Sequence, residues 1–217
     1  MLAVLLVTAA GCSSPSKTAT PAPAATTAST ATTAKTGTIV INPQFDSAES
    51  FSDGLAAVRI GDTWGFIDKT GRIVINPQFD EADSFSDGLA QVRIGDYTTG
   101  KAGFIDKTGH YVINPQFNLA LSFSDGLAAV GIGDYKTGKW GFIDKTGHVV
   151  INPQFDWADS FSDGLAAVRI GDYTTGKYGF IDKTGRIAIN PQFDESRSFS
   201  DGLAMVRFGG KEGYIAR

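Results

Sequence analysis

Cysteine, histidine and methionine are nearly absent from this chain: its 217 residues hold one Cys, two His and two Met. A single cysteine excludes any disulfide framework within the chain. The two histidines, His110 and His148, have no cysteine beside them and so offer no zinc-ligand spacing. Both occupy a slot that holds Arg72 and Arg186 elsewhere, which reads as a solvated strand start. Serine and threonine are plentiful, but no repeated local arrangement with a histidine base is expected. Basic residues are scattered, the formal net charge is −4, and no basic run or stripe exists. Nucleic acid is therefore not an expected partner. No apolar run approaches the roughly 20 residues of a membrane-spanning helix. No D-x-D-x-D-G loop with a downstream Glu occurs, which excludes a calcium site of that type. No metal or cofactor is expected.

What the chain does have is repetition. The segment NPQF begins at Asn42, Asn76, Asn114, Asn152 and Asn190, and FSDGLA begins at Phe51, Phe85, Phe123, Phe161 and Phe199. The steps between copies are 34, 38, 38 and 38 residues. A fixed period of this size indicates a propeller or a solenoid, in which each unit buries its apolar face against its neighbours.

One unit shows three apolar runs, residues 127–132, 139–143 and 148–151, separated by Gly-, Asp- and Thr-rich loops. This pattern predicts a three-stranded meander with strands a, b and c. The b–c turn is Asp-Lys-Thr-Gly at Asp68, Asp106, Asp144 and Asp182. There Asp can bond the backbone two residues on, and Gly supplies the positive φ of a type I turn with a bulge. The a–b loop varies in length, which marks it as surface. Pro43, Pro77, Pro115, Pro153 and Pro191 cannot donate to a ladder, so each is expected where strand c has ended. The array opens with a lone c strand, residues 38–41, and closes with a and b strands only. The expected fold is all-β, five tandem three-stranded units in a closed five-bladed propeller-like ring; the alternative is an open β-solenoid or superhelix. In the ring, residues 39–41 would pair with residues 214–216, which removes the exposed edges.

The N-terminus is of another kind. Residues 1–11 form a short apolar segment suited to a signal peptide, and the small residues before Cys12 resemble the bacterial lipobox. That resemblance implies cleavage before Cys12 and lipidation of its thiol. Residues 12–37 are then a lipidated cysteine and a Ser/Thr/Ala/Pro tether with too little apolar content to fold. The repeat domain spans residues 38–217. The expected location is outside the cytoplasm, anchored to the membrane through Cys12.

Lys139, Trp140, Gly141, Phe142, Ile143 and Asp144, followed by Gly147, Ile151, Pro153, Phe155, Phe161 and Gly164-Leu165-Ala166, resemble the WG (KWG) repeat of bacterial proteins. The resemblance covers residues 37–217. The Trp itself is present as Trp64 and Trp140, while Ala102, Tyr178 and Glu212 stand in its place elsewhere. It implies a repeat scaffold, often exported, and no particular chemistry.

The recurrent carboxylates Asp53, Asp87, Asp125, Asp163 and Asp201 each precede Gly and read as turn residues. More informative is where the copies differ. The slots after NPQF hold Glu81 and Asp83 in one unit, but Leu119 and Leu121 in the next and Trp157 in the one after. Gly131 replaces the Arg of the sibling units. Slots that accept such different residues are expected to be exposed. Apolar residues grouped there suggest contact with a partner. The candidate partner-binding residues are Leu119, Leu121, Trp157, Trp140, Tyr178 and Trp64. The expected function is a surface-tethered, non-enzymatic binding module for an extracytoplasmic glycan, envelope polymer or protein. The alternatives are a structural spacer or assembly scaffold without a specific ligand, and an Asp-dependent hydrolase on a propeller face.

Overall fold

Five small antiparallel sheets follow one another along the chain, with no helix among the residues described by this computed structural model, 37–133 and 137–217. The signal segment, Cys12 and residues 12–36 of the tether lie outside the described residues. Sheet 1 joins Ser47–Ala48 (β1), Leu55–Ile60 (β2), Thr63–Asp68 (β3) and Ile73–Phe79 (β4), in that order. Sheet 2 repeats it with Glu81–Ala82 (β5), Ala90–Ile94 (β6), Lys101–Ile105 (β7) and Tyr111–Phe117 (β8). Sheet 3 has Leu119–Ala120 (β9), Ala128–Ile132 (β10), Lys139–Ile143 (β11) and Val149–Phe155 (β12). Sheet 4 has Trp157–Ala158 (β13), Leu165–Ile170 (β14), Lys177–Asp182 (β15) and Ile187–Phe193 (β16). Sheet 5 has Glu195–Ser196 (β17), Leu203–Phe208 (β18) and Lys211–Ala216 (β19), and no fourth strand.

Two expectations are corrected here. The unit has four strands, because the variable slots after NPQF form a two-residue strand that pairs with strand a. Strand c also runs through Asn-Pro to Phe79, so Pro77 lies inside β4 rather than beyond its end. The proline is tolerated because β4 is the outermost strand of its sheet and the β3–β4 register shifts between Trp64 and Phe66. That shift brings the backbones together at Gly65. A Cβ there would lie 2.5 Å from the Ile75 carbonyl oxygen and 2.6 Å from the Pro77 nitrogen. Gly103, Gly141 and Gly179 meet the same crossing.

The turns match their sequence. The Asp68 carboxylate accepts from the Thr70 N–H (2.9 Å) and hydroxyl (2.6 Å), while Gly71 adopts φ +84°. In FSDGLA, Asp53 and Gly54 both have positive φ (53° and 92°), and Ser52 and Leu55 exchange backbone hydrogen bonds around them. This is a two-residue type I′ hairpin.

Strand alternation then builds the core. Leu55, Ala57 and Phe66 of sheet 1 face sheet 2, where they meet Phe85, Ala90, Val92 and Ile105. Ala56, Val58 and Ile67 face the other way. Sheets 2 to 4 thus have two apolar faces, each buried by a neighbouring sheet rather than by a core of its own. At each junction two phenylalanine rings meet at a steep angle: Phe66 with Phe85 at 4.9 Å, Phe104 with Phe123 at 4.8 Å, Phe142 with Phe161 at 4.8 Å, and Phe180 with Phe199 at 5.0 Å. A polar seam accompanies them. The Gly88 N–H donates to Asp53 Oδ2 across 2.9 Å, and Gly126, Gly164 and Gly202 repeat the bond to Asp87, Asp125 and Asp163.

The expected pairing of residues 39–41 with residues 214–216 is not formed; residues 38–41 carry no ladder to any strand. Ile41 instead packs on sheet 1. It stands 3.0 Å from a Cβ position at Gly71, the place that Ile75 takes over Gly109 and Ile113 over Gly147. Ile41 and Phe45 also pack against Ala56, Val58 and Ile67. Of this segment only Ile41 and Phe45 are half-buried against the unit that follows, while Ile39 and Val40 are exposed.

Candidate functional site

In each sheet one transverse row of four positions crosses the short strand, strand a, strand b and strand c. Register places Ser47, Arg59, Trp64 and Phe79 in the first row and Glu81, Arg93, Ala102 and Phe117 in the second. The third holds Leu119, Gly131, Trp140 and Phe155, and the fourth Trp157, Arg169, Tyr178 and Phe193. In sheet 5 the row is Glu195, Arg207 and Glu212. Successive rows are neighbours, because strand b of one sheet lies against the short strand of the next.

Rows 2 and 5 are closed by charge. Buried Arg93 bonds Glu81 at 2.9 Å and also donates to the Asn118 carbonyl at 3.1 Å. Arg207 bonds both Glu195 and Glu212 at 2.7 Å. Row 3 carries no charge at all. Gly131 leaves room for its neighbours: a Cβ there would stand 3.2 Å from the Leu119 Cβ and 3.6 Å from the Trp140 ring. Row 4 is aromatic and cationic. Trp157 and Tyr178 meet edge-on at 5.6 Å, and the Arg169 guanidinium lies 5.4 Å from the Tyr173 ring centre and 5.8 Å from that of Tyr178. Its Nε is buried without a hydrogen-bond partner.

Rows 3 and 4 are stitched by the Lys139–Asp156 ion pair, and sheets 4 and 5 by Lys177–Asp194. The Lys177 ammonium holds the Asp194 carboxyl below its usual value. Between sheets 4 and 5 a pocket of about 460 Å³ is lined by Tyr173, Thr174, Tyr178, Asp194, Glu195 and Arg207. Its walls combine aromatic faces with hydrogen-bonding groups of both charges.

Five of the six candidate residues are therefore neighbours: Leu119, Leu121 and Trp140 on sheet 3, and Trp157 and Tyr178 on sheet 4. Trp64 stands apart on sheet 1, beyond the charged row 2, and packs against the junction of sheets 1 and 2. The variable slots are less open than their variability suggested. Leu119, Leu121 and Trp157 are half-buried; Leu121 and Trp140 lean on the core between sheets 3 and 4, and Trp157 and Tyr178 on the next. The alanine of this short strand is buried in sheets 2 and 4, as Ala82 and Ala158, and half-buried in sheet 3, as Ala120. The alternation of a two-residue strand, one side chain out and one in, produces this.

Sequence reasoning missed Tyr173, Asp194, Glu195 and Arg207 as members of one surface, because strand register brings them together. A signal existed: Arg recurs in strand a at a fixed position and is missing only at Gly131. Four of the five FSDG aspartates are engaged at the junctions. His110 and His148 lie at turn ends, each with Nδ1 by a threonine hydroxyl, 2.7 Å from Thr108 and 2.8 Å from Thr146. A hydroxyl beside a histidine therefore does recur, contrary to expectation, because the turn folds Thr back over the residue that follows its Gly. No cluster of metal-ligating side chains occurs among the described residues.

A family model described as WG containing repeat matches residues 35–64, 64–97, 103–135, 140–173 and 178–211. A comparison with curated proteins returns no match. Among solved structures, the fold is similar to a calcium-binding protein, regucalcin, from Agrobacterium tumefaciens, at 12% identity and a TM-score of 0.40, over 73% of this chain and 66% of that one. The chain thus spans just under two thirds of the regucalcin chain. It is also similar to a protein of unknown function from Bacteroides caccae, at 15% identity and a TM-score of 0.39, over 80% of this chain and 78% of that one.

Proposed function

For a chain that belongs to the WG-containing repeat family, with units alike in their cores and different along one row of rim positions, we propose a non-enzymatic binding role. The contact surface is the rim of sheets 3 to 5, and the ligand class is an extracytoplasmic glycan or envelope polymer. One observation carries this reading: the Glu–Arg pair that closes rows 2 and 5 is missing from rows 3 and 4, where Leu119, Trp140, Trp157 and Tyr178 stand and only Arg169 keeps a charge, beside the pocket lined by Asp194, Glu195 and Arg207. Half-buried aromatic faces next to fixed carboxylate and guanidinium groups suit a sugar, whose apolar ring faces stack on aromatics while its hydroxyls need donors and acceptors. Four of the five FSDG aspartates, Asp53, Asp87, Asp125 and Asp163, are spent on junction hydrogen bonds, which weighs against the Asp-dependent hydrolase.

The tether belongs to the same proposal. Lipidation of Cys12 would hold the array at a membrane on the extracytoplasmic side. Labelling with an alkyne fatty acid should mark the wild type and not Cys12→Ser; an unlabelled wild type with normal signal cleavage would remove the anchor from the proposal.

Binding is tested by a glycan array and by cosedimentation with isolated envelope polysaccharide. Wild type should bind, while Trp157→Ala and Tyr178→Ala should each weaken binding about tenfold, as loss of one stacking contact worth ~1.4 kcal/mol would. Binding that is unchanged in both variants would refute this surface. The assembly-scaffold reading has separate support in the two ends of the array.

A further inference from the structure

We propose that a second copy of this chain docks head to tail, with β19 of one copy pairing with residues 39–45 of the next. In sheets 1 to 4, strand b pairs with a strand c; in sheet 5, β19 has no partner on its outer side among the described residues. Its outward side chains are those that every other sheet buries. Tyr214 takes the place of Phe66 and is 74% exposed, against 0% for Phe66; Leu203 takes the place of Leu55 and is 49% exposed, against 8%. Gly213 takes the place of Gly65, yet nothing lies within 4 Å of a Cβ there, because the strand that would cross it is missing.

The other end is the complement. Residues 39–45 already sit as a strand c without a sheet, since Ile41 and Phe45 stand to Ala56, Val58 and Ile67 as Ile75 and Phe79 stand to Ala90, Val92 and Ile105. Among the described residues, no strand b and no ring precede that end. Phe51, the counterpart of Phe85, is 43% exposed, beside an open cavity of about 290 Å³ whose walls include Ile41, Phe45, Ala56 and Ile67. The register of Phe66 opposite Ile75 and of Trp64 opposite Phe79 transfers directly. It sets Tyr214 opposite Ile41 and Glu212 opposite Phe45 of the other copy, and it lays the Tyr214 ring against Phe51.

Polar groups match too. Asp201 is the one FSDG aspartate without a glycine N–H, and the Gly54 N–H is the one without an aspartate, whereas the four internal pairs are all formed. At two internal junctions the turn lysine reaches back to the aspartate of the preceding unit: Lys145 Nζ bonds the Asp87 carbonyl at 2.5 Å and Lys183 Nζ the Asp125 carbonyl at 2.6 Å. Lys69 is the matching lysine of sheet 1, and it would meet Asp201 of the other copy. Backbone pairing, ring, glycine and ion pair thus all point to one interface, a continuation of the junction used four times inside the chain. It is heterologous, so copies add in a line or close into a larger ring.

The full chain carrying Cys12→Ser, so that no lipid contributes, is examined by light scattering across concentration. Its mass should rise in monomer steps. Phe51→Asp and Tyr214→Asp should each be monomeric, with unchanged circular dichroism and thermal midpoint because both positions are exposed in one copy. Mixed one to one they should form a dimer and nothing larger, since one intact face remains on each. Lys69→Asp should weaken assembly, and Lys69→Asp with Asp201→Lys should restore it. A wild type that stays monomeric up to its solubility limit would overturn the proposal. So would a loss of monomer stability in both single variants, which would place the contact within one chain.

Discussion

At the residue scale, two short side-chain patterns do much of the structural work. The first is the aspartate of the Asp-Lys-Thr-Gly turn. The Thr70 hydroxyl, ahead of the Thr70 and Arg72 N–H groups, pulls the Asp68 carboxyl from the usual 3.8 down to about 2. The same threonine hydroxyl lowers Asp106, Asp144 and Asp182. A folded-state pKa below the unfolded one stabilises the fold above about pH 4, and that contribution is lost as pH falls toward 2. The thermal midpoint should therefore drop over that window. Replacing Thr70, Thr108, Thr146 and Thr184 together by Val should flatten the drop; an equally steep acid decline in the variant would refute this assignment. The second pattern is the glycine after the Trp slot. Gly141→Ala places a Cβ 2.5 Å from the Ile151 carbonyl oxygen and should cost about 2–3 kcal/mol, the range for overpacking. Gly213→Ala meets nothing within 4 Å and should change monomer stability by less than about 0.5 kcal/mol. Urea midpoints of the two variants decide it. The turn chemistry was legible in the sequence because Asp and Gly act locally. The demand on the Trp-Gly glycine was not, because it comes from a backbone crossing ten residues further along.

At the scale of the element, strands a, b and c were legible from their apolar runs, bounded by Gly, Asp and Asn. The fourth strand was not: two residues are too few to show any periodicity, and only its pairing with strand a reveals it. The continuation of strand c through Asn-Pro was hidden for another reason. Proline argues against a strand when both sides are paired, and β4, β8, β12 and β16 are paired on one side within their sheets. The candidate surface was found through the variability of these slots, yet its residues are half-buried rather than open. Leu119→Glu with Trp157→Glu should cost no more than about 1 kcal/mol, because sheets 2 and 5 carry Glu81 and Glu195 at the same positions. Leu121→Asp should cost more, about 1–2 kcal/mol, since Leu121 leans on the core beside Trp140. Chemical denaturation of the two variants separates edge from core contributions.

At the scale of the whole molecule, the sequence shows which strands lack partners but not where partners come from. The orphan strand c and the orphan strand b are complementary in pattern, and from pattern alone that complementarity closes a ring. In the structure Ile41 and Phe45 of the N-terminal orphan lean on sheet 1, and the ladder between the two ends is absent. Deleting residues 213–217 should therefore loosen sheet 5 and its junction with sheet 4, where Ile215 packs. Hydrogen-exchange protection in sheets 1 to 3 should stay unchanged, as nearest-neighbour stability requires. Loss of protection throughout the array would instead indicate that the ends support each other.

The shared junctions have a genetic consequence. Every internal boundary is made by the same residues at the same register, so the number of units is not written into any contact. Excising residues 114–151 joins Ile113 to Asn152, restores one unbroken strand c, and brings Phe104 to Phe161 where it had met Phe123. The shortened chain should fold with the same strand content and a lower denaturation midpoint, having lost one sheet and one boundary. It should also lack Leu119, Leu121 and Trp140, so folding would survive where the proposed contact surface does not. Recombination between near-identical units can therefore lengthen or shorten the array without breaking it. Selection on what the rim touches then remains free to act on one copy at a time.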